Sequence, residues 1–288
     1  MSMQSIGQIL TSQNFDKYKK QVASLNCYIH GITEHWHVGS MTPMCRQCEA
    51  DTTAADAKQG IADTFENYRE IMAANGIDPD GKKFSDWNFD SSQAARQKKI
   101  IETLQGISGN FKPTGRFARN ASISNVLFVG GTGSGKTMLT NALAKDIYRK
   151  AAREHVASSK TTSANAFCRL ITSSDITNKS KQTWGEWGNS EQQFIDKLSD
   201  TELLIIDDIG DNDTAAKAEN AAADRNRIGQ IISKRYQKRP TILTTNLTAD
   251  QVADFLGDRA WDRLTENLIV IECDWSSHRK SVSKVLVL

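Results

Sequence analysis

The run GGTGSGKT, Gly130 to Thr137, has the G-x-x-x-x-G-K-[ST] spacing of a loop that wraps phosphate. Gly130, Gly131, Gly133 and Gly135 let the backbone turn its N–H groups inward, Thr132 and Ser134 complete the cradle, and the helix expected after it adds the positive end of its dipole. Lys136 is placed to reach β- and γ-phosphates, and Thr137 to ligate magnesium. Two further runs have the character of apolar strands ending in polar groups. LLIIDD, Leu203 to Asp208, brings Asp207 as a magnesium-side acid and Asp208 as the group that orients and deprotonates an attacking water. TILTTN, Thr241 to Asn246, ends in an amide able both to donate and to accept, suited to sensing a γ-phosphate, although an asparagine there also caps turns.

A second chemistry lies upstream. CYIHGITEHWHVGSMTPMCRQC contains Cys27-x2-His30 and Cys45-x2-Cys48, two short-reach pairs that can close a tetrahedral shell around zinc, with His35 or His37 as alternatives to His30. Such a site stabilises folding rather than catalysing. Cys168 and Cys273 sit in apolar strand contexts and are expected to pack.

These residues need elements to hold them. Of 288 residues, 39% are hydrophobic, enough for one substantial core and a small accessory domain. A formal charge of +2 is too mild to identify a nucleic-acid protein by itself. No charged-then-apolar leader and no apolar run near 18 residues is present, so a cytoplasmic location with no membrane partner is expected. Residues 1–90 are polar and hold three of the five cysteines and three of the five histidines, as expected of a small zinc-binding domain. Residues 91–120 read as a basic helix, Ser91 to Gln105, and a linker; residues 121–288 alternate strands (NVLFVG, AFCRLITSS, LLIIDD, TILTTN, LIVIE) with helices, among them Lys136 to about Ala152 and Ile228 to Tyr236. That alternation predicts an α/β fold with a parallel sheet covered on both faces.

The ordered set GGTGSGKT, LLIIDDIG, RPTILTTN, LGDRAWDRL and DWSSHR, with FENYR at 65 to 69, resembles the ATPase domain of the DnaC-type replicative helicase loaders, a branch of the AAA+ ATPases related to the DnaI and IstB ATPases. The resemblance covers roughly residues 60 to 280. It implies that Asp207 and Asp208 are the Walker B pair, that Asn246 is sensor 1, and that Arg263 is an arginine finger inserted into a neighbouring subunit's ATP site, with Arg259 a supporting cation. The 25 residues after Arg263 leave no room for the four-helix lid common in AAA+ proteins, so the expected fold lacks it. An intramolecular salt bridge is the competing reading of Arg263. Many AAA+ enzymes carry glutamate where this chain has Asp208, whose shorter side chain suits slow hydrolysis of ATP to ADP and phosphate.

The resemblance also points to Ile176–Phe194 as a segment facing single-stranded DNA. Lys179 and Lys181 are suited to phosphates, and Trp184 and Trp187 to base stacking, though packing against the core demands the same tryptophan spacing. The expected function is ATP- and magnesium-dependent loading of a hexameric DnaB-type helicase onto single-stranded DNA by a homo-oligomer with shared ATP sites. The alternatives are an IstB-type transposition helper ATPase and a zinc-containing replication adaptor with a structural nucleotide.

Overall fold

A computed structural model describes residues 22–27, 29–36, 45–112, 116–117, 124–158, 167–182, 190–210 and 215–277. The chain divides into two units, Met1–Asp63 and Thr64–Leu288. In the first, β1 (Val22–Cys27) and β2 (Gly31–Trp36) form an antiparallel hairpin that closes with Cys27 opposite Gly31. Helix α1 (Arg46–Ala74) starts directly after Cys45 and runs across the division.

The second unit continues through a short 3-10 turn (Phe84–Asp86), α2 (Ala94–Asn110), and the two-residue strands β3 (Phe111–Lys112) and β4 (Arg116–Phe117). Then β5 (Asn125–Gly130), α3 (Lys136–Ser158), β6 (Cys168–Thr172), α4 (Ser173–Gln182), α5 (Glu191–Ser199) and β7 (Leu203–Ile209) follow. The described chain closes with α6 (Ala215–Arg235), β8 (Thr241–Thr245), α7 (Ala249–Leu256), α8 (Asp258–Thr265) and β9 (Leu268–Cys273). The sheet is parallel throughout, in the order β6-β7-β8-β5-β9.

Strand periodicity of two explains its burial on both faces. Val126 and Phe128 of β5, with Leu203 and Ile205 of β7, join a core with Leu143 and Ile147 of α3. Leu127 and Val129, with Leu204 and Ile206, face the other way into a core with Ile228 and Ile231 of α6 and Leu264 of α8. The β5 strand thus lies between β8 and β9, and the chain leaves it in one direction and returns on the other side. In such sheets ligands bind in the crevice beyond the carboxyl ends of the strands at this switch.

Three expectations shift. Residues 64–90, read as part of the N-terminal domain, belong to the second unit: Tyr68, Met72, Ile77, Phe84 and Trp87 are buried in its core. The GISGN stretch read as linker continues α2, because Ile107 packs on that core and Ser108 Oγ donates to Asp146 Oδ2 on α3 at 2.5 Å. The helix expected at 228–236 begins at Ala215, where alanine-rich sequence favours helix without an apolar stripe. The FENYR run lies inside α1.

Arg235, 1% exposed, ends α6 inside the protein. Its guanidinium donates to the carbonyls of Leu198 and Ser199 at the end of α5, of Thr201, Glu202 and Pro240, and to Thr241 Oγ1. Burial, and secondarily the charge of Arg239, pulls its pKa down. The charge persists there because helix-end carbonyls present the negative end of a dipole. Replacing Arg235 by Met orphans this ring of carbonyls, and urea unfolding is expected to show a loss of about 3 kcal/mol or more.

Candidate nucleotide site and metal cluster

Gly130, Gly133 and Gly135 have φ of 146, 83 and 92°, values that side chains at Cβ disfavour. At Gly130 the constraint is doubled, since a Cβ would stand 2.3 Å from the Cys273 carbonyl oxygen. The end of β9 therefore presses directly on the start of the loop. From the same strand end, the indole N–H of Trp275 donates to the Ser134 carbonyl at 2.8 Å, and Trp275 packs edge-to-face on Trp87 with ring centroids 6.0 Å apart. Arg96 of α2 ties this strand end down through Asp274 and Glu272.

Lys136, 5% exposed, donates from Nζ to the carbonyls of Gly130 (2.8 Å) and Gly131 (3.0 Å) and to Asn246 Oδ1 (2.9 Å). The lysine and the amide expected to meet γ-phosphate are thus brought together across the β5–β8 boundary. Asp207, buried, accepts from Thr137 Oγ1 at 2.9 Å and from Thr244 Oγ1. Thr244 Oγ1 in turn accepts from the Asp208 N–H at 3.0 Å. Sequence reading missed Thr244, which the period of two aims from β8 at its neighbour β7, and Trp275, which was only one letter in a resembling motif.

Asp208 is exposed with φ 55°, in the left-handed region where Asp and Asn are several-fold enriched. The residue lies in β7 where the pairing with β8 shifts between Ile206 and Ile209, and aspartate takes a left-handed conformation more readily than glutamate. Asn246 is exposed apart from its contact with Lys136.

Arg263 stands elsewhere. It lies in the last turn of α8, with Arg259 one turn earlier and exposed. The Asn125 amide donates to the Leu264 carbonyl at 3.0 Å, which fixes the end of α8 at the amino end of β5. The loop begins at Gly130, the carboxyl end of the same strand, roughly 17 Å away at about 3.3 Å per residue. Arg263 Cζ rests 5.7 Å from the ring centroid of Tyr236, and among the described residues it forms no salt bridge.

In the first unit, His30 Nδ1 lies 3.8, 3.7 and 3.4 Å from the sulfurs of Cys27, Cys45 and Cys48, and the Cys27 and Cys48 sulfurs are 3.6 Å apart. A tetrahedron with metal–sulfur bonds near 2.3 Å and metal–nitrogen near 2.0 Å has edges of about 3.5–3.8 Å. The four donors therefore fit a zinc ion in both type and spacing. Backbone N–H groups of His30 and Ile29 hold the Cys27 thiol below its ordinary pKa. The other imidazole nitrogen, Nε2, faces Asp51 Oδ2 at 3.3 Å. His35 pairs with Ala23 in the hairpin, and His37 lies outside the described residues. Lys179 is exposed on α4, Lys181 lies on the same helix, and Trp184 and Trp187 lie outside the described residues.

A phosphate loop at the switch point, facing a threonine-braced aspartate and an asparagine amide, defines a nucleotide-binding P-loop fold. The chain belongs to the family described as "IstB-like ATP binding protein", which matches residues 65–285. The replicative helicase loader DnaC of Escherichia coli K12 is 30% identical over 166 residues, 57% of this chain and 60% of the loader's own length. Among solved structures, the DnaC helicase loader crystal structure is similar at a TM-score of 0.47 and 22% identity, covering 66% of this chain and 95% of that one. DnaI is similar at 0.48 and 16%, covering 73% and 93%. No helix among the described residues is long and apolar enough to cross a membrane.

Lys136→Ala removes the cation that crosses the loop and is expected to weaken ATP binding at least tenfold in a fluorescent-nucleotide titration, with the circular dichroism spectrum unchanged.

Proposed function

We propose that this protein is an ATP-dependent loader that places a hexameric DnaB-type helicase on single-stranded DNA, acting as a homo-oligomer whose ATP sites lie between subunits. The observation that carries the reading is the separation of Arg263 from its own phosphate loop by the length of β5. A guanidinium at the opposite edge of the sheet is beyond reach of its own nucleotide and is available to a neighbour's. The 30% identity to a protein named as a replicative helicase loader supports the choice of task.

In this reading Lys136 and the loop N–H groups hold the β- and γ-phosphates, and Thr137 with Asp207 would hold magnesium, which neutralises phosphate charge when bound. Asp208, exposed beside Asp207, orients the water and takes its proton as it attacks. Asn246 passes from Lys136 to the γ-phosphate. Arg263 from the adjoining subunit, with Arg259 beside it, stabilises the charge that develops on the transferred group. Cys27, His30, Cys45 and Cys48 hold zinc, which closes the first unit as the helicase-gripping domain. The segment from Ile176 to Phe194, with Lys179, Lys181, Trp184 and Trp187, contacts the strand. The family description favours a second reading, an IstB-type transposition helper ATPase. Co-purification with a replicative helicase supports the loader, whereas coating of duplex DNA supports the helper.

Arg263→Ala is expected to lower ATP hydrolysis by about 10³-fold with nucleotide affinity held within twofold. Mixing it with Lys136→Ala tests the sharing directly. Each variant alone is inactive, but a mixed assembly contains sites with an intact loop from one subunit and an intact arginine from the next. Recovery of turnover is expected, and a mixture as inactive as its components overturns shared sites.

Asp51 holds the ligating imidazole by its far nitrogen, so Asp51→Asn is expected to weaken zinc binding about tenfold in competition with a chromophoric chelator.

A further inference from the structure

A cleft of about 330 Å³ opens in the second unit between the carboxyl half of α1, the segment Pro79–Lys83 and the middle of α3. It is separate from the phosphate loop. Lys145 and Arg149 are nine and thirteen residues beyond Lys136 on α3, roughly 13 and 20 Å along the helix at 1.5 Å per residue.

Lys83, Lys145 and Arg149 all line this space, and among the described residues none of the three forms an ion pair. Of the neighbouring acids only Asp80 is paired with another cation among the described residues, while the charges of Asp78 and Asp86 attract Lys145 and Lys83 at longer range. Asp80 takes both oxygens to Arg69, Asp78 accepts from the Asp80 N–H, and Asp86 accepts from the Lys83 N–H. Lys145 is 4% exposed and donates to the Gly81 carbonyl, with the charges of Asp78 and Asp80 attracting it without forming an ion pair. Burial pulls its pKa down, and Arg149 and Lys83 add to the effect. With Arg69 and Asp80 cancelling, three cations still outnumber Asp78 and Asp86 around the concavity and leave a net positive potential that an anion relieves. The remaining walls are apolar: Tyr68 and Met72 form the floor, and Phe65 stands half-exposed at the rim.

We propose that this cleft holds one nucleotide of a single DNA strand, with its phosphate against Lys83, Lys145 and Arg149 and its base against Phe65. Size and lining choose the occupant. A bare phosphate would fill a small part of the volume and leave the aromatic rim without use, whereas a base joined to a phosphate matches both walls. Lys145 and Arg149, one helical turn apart on the same face of α3, both line the space and can reach one phosphate together with Lys83. The two lysines act as point charges, and Arg149 can meet phosphate oxygens bidentately. The inference rests on the single-strand reading above and adds a place to it.

The test is fluorescence anisotropy of a fluorescein-labelled fifteen-nucleotide oligothymidylate with the full chain at several salt concentrations. The doubly substituted Lys83→Gln, Arg149→Gln protein is expected to bind about tenfold more weakly. Its slope of log affinity against log salt should be shallower by about 0.7, the loss of one single-strand phosphate contact. Phe65→Leu is expected to weaken binding about fivefold with the slope unchanged, since stacking is not ionic. Buried Lys145 is left in place, and an unaltered Kd for ATP shows that each variant is folded. A wild-type protein that binds the strand while the double variant binds equally, with equal slope, overturns the cleft and leaves the strand reading standing. No binding by the wild type overturns both. Competition by polyglutamate at the same charge concentration as oligothymidylate overturns the nucleotide in favour of an acidic peptide, and competition by thymidine monophosphate as effective as that of the oligomer overturns the strand.

Discussion

The parallel pairing of β5 with β9 is the constraint on which the other features depend. In register, Asn125 faces Leu268 and Gly130 faces Cys273, so both strands begin at one edge of the sheet and end at the other. The loop that wraps phosphate must follow the carboxyl end of β5. The helix that carries Arg259 and Arg263 must precede the amino end of β9. No rotamer of either arginine changes that, because the two edges are separated by hydrogen-bonded strands buried in two cores. A hairpin would have placed the end of one strand beside the start of the other; parallel strands keep the phosphate loop and the helix that carries Arg263 apart.

The same register makes the phosphate loop sensitive to β9. Cys273 presses on Gly130, and Trp275 holds the Ser134 carbonyl, so the loop is braced on one side by backbone contact and on another by an indole. Across the sheet, Thr244 sits between the Asp207 carboxylate and the Asp208 N–H and fixes the two acids in different orientations. Asp207 turns inward to Thr137 while Asp208, with a left-handed backbone within β7, faces solvent. Adjacent acids thereby meet different surroundings without differing in type.

Much of this site was legible because its grammar is local. Gly130 to Thr137 follows a six-residue apolar run and opens a helix, and the strand-ending polar groups of LLIIDD and TILTTN meet in the structure as spacing and type suggested. What could not be read is what depends on residues remote in sequence. Trp275 lies 141 positions from Ser134, and Arg235 is a surface-type residue whose burial follows from the ends of α5 and β8 meeting around it. The division near residue 63 was hidden because polar residues 64–90 carry only scattered apolar side chains. Tyr68, Met72, Phe84 and Trp87 bury against α3 and β5 without showing a period long enough to recognise.

The first unit follows another logic. From Asp51 to Asp63 every residue of α1 is exposed, so this stretch has no buried face to support it. Its alanines supply helix propensity, and pairs such as Gln59 Nε2 with Asp63 Oδ1 at 2.7 Å add small increments. An isolated helix of that composition and length is marginal in water, because nucleating it is costly. Here both ends are nucleated by other means: Tyr68 and Met72 are packed beyond one end, and Cys45 and Cys48 stand with His30 and Cys27 at the other. With the first turn fixed by a four-donor cluster and the last turns fixed by a core, the exposed middle has only to propagate. A four-donor set suited to a metal at one end and a packed core at the other are the supports beside this exposed stretch, which is why the cysteine and histidine spacing, rather than hydrophobic periodicity, was the readable signal in this part of the sequence.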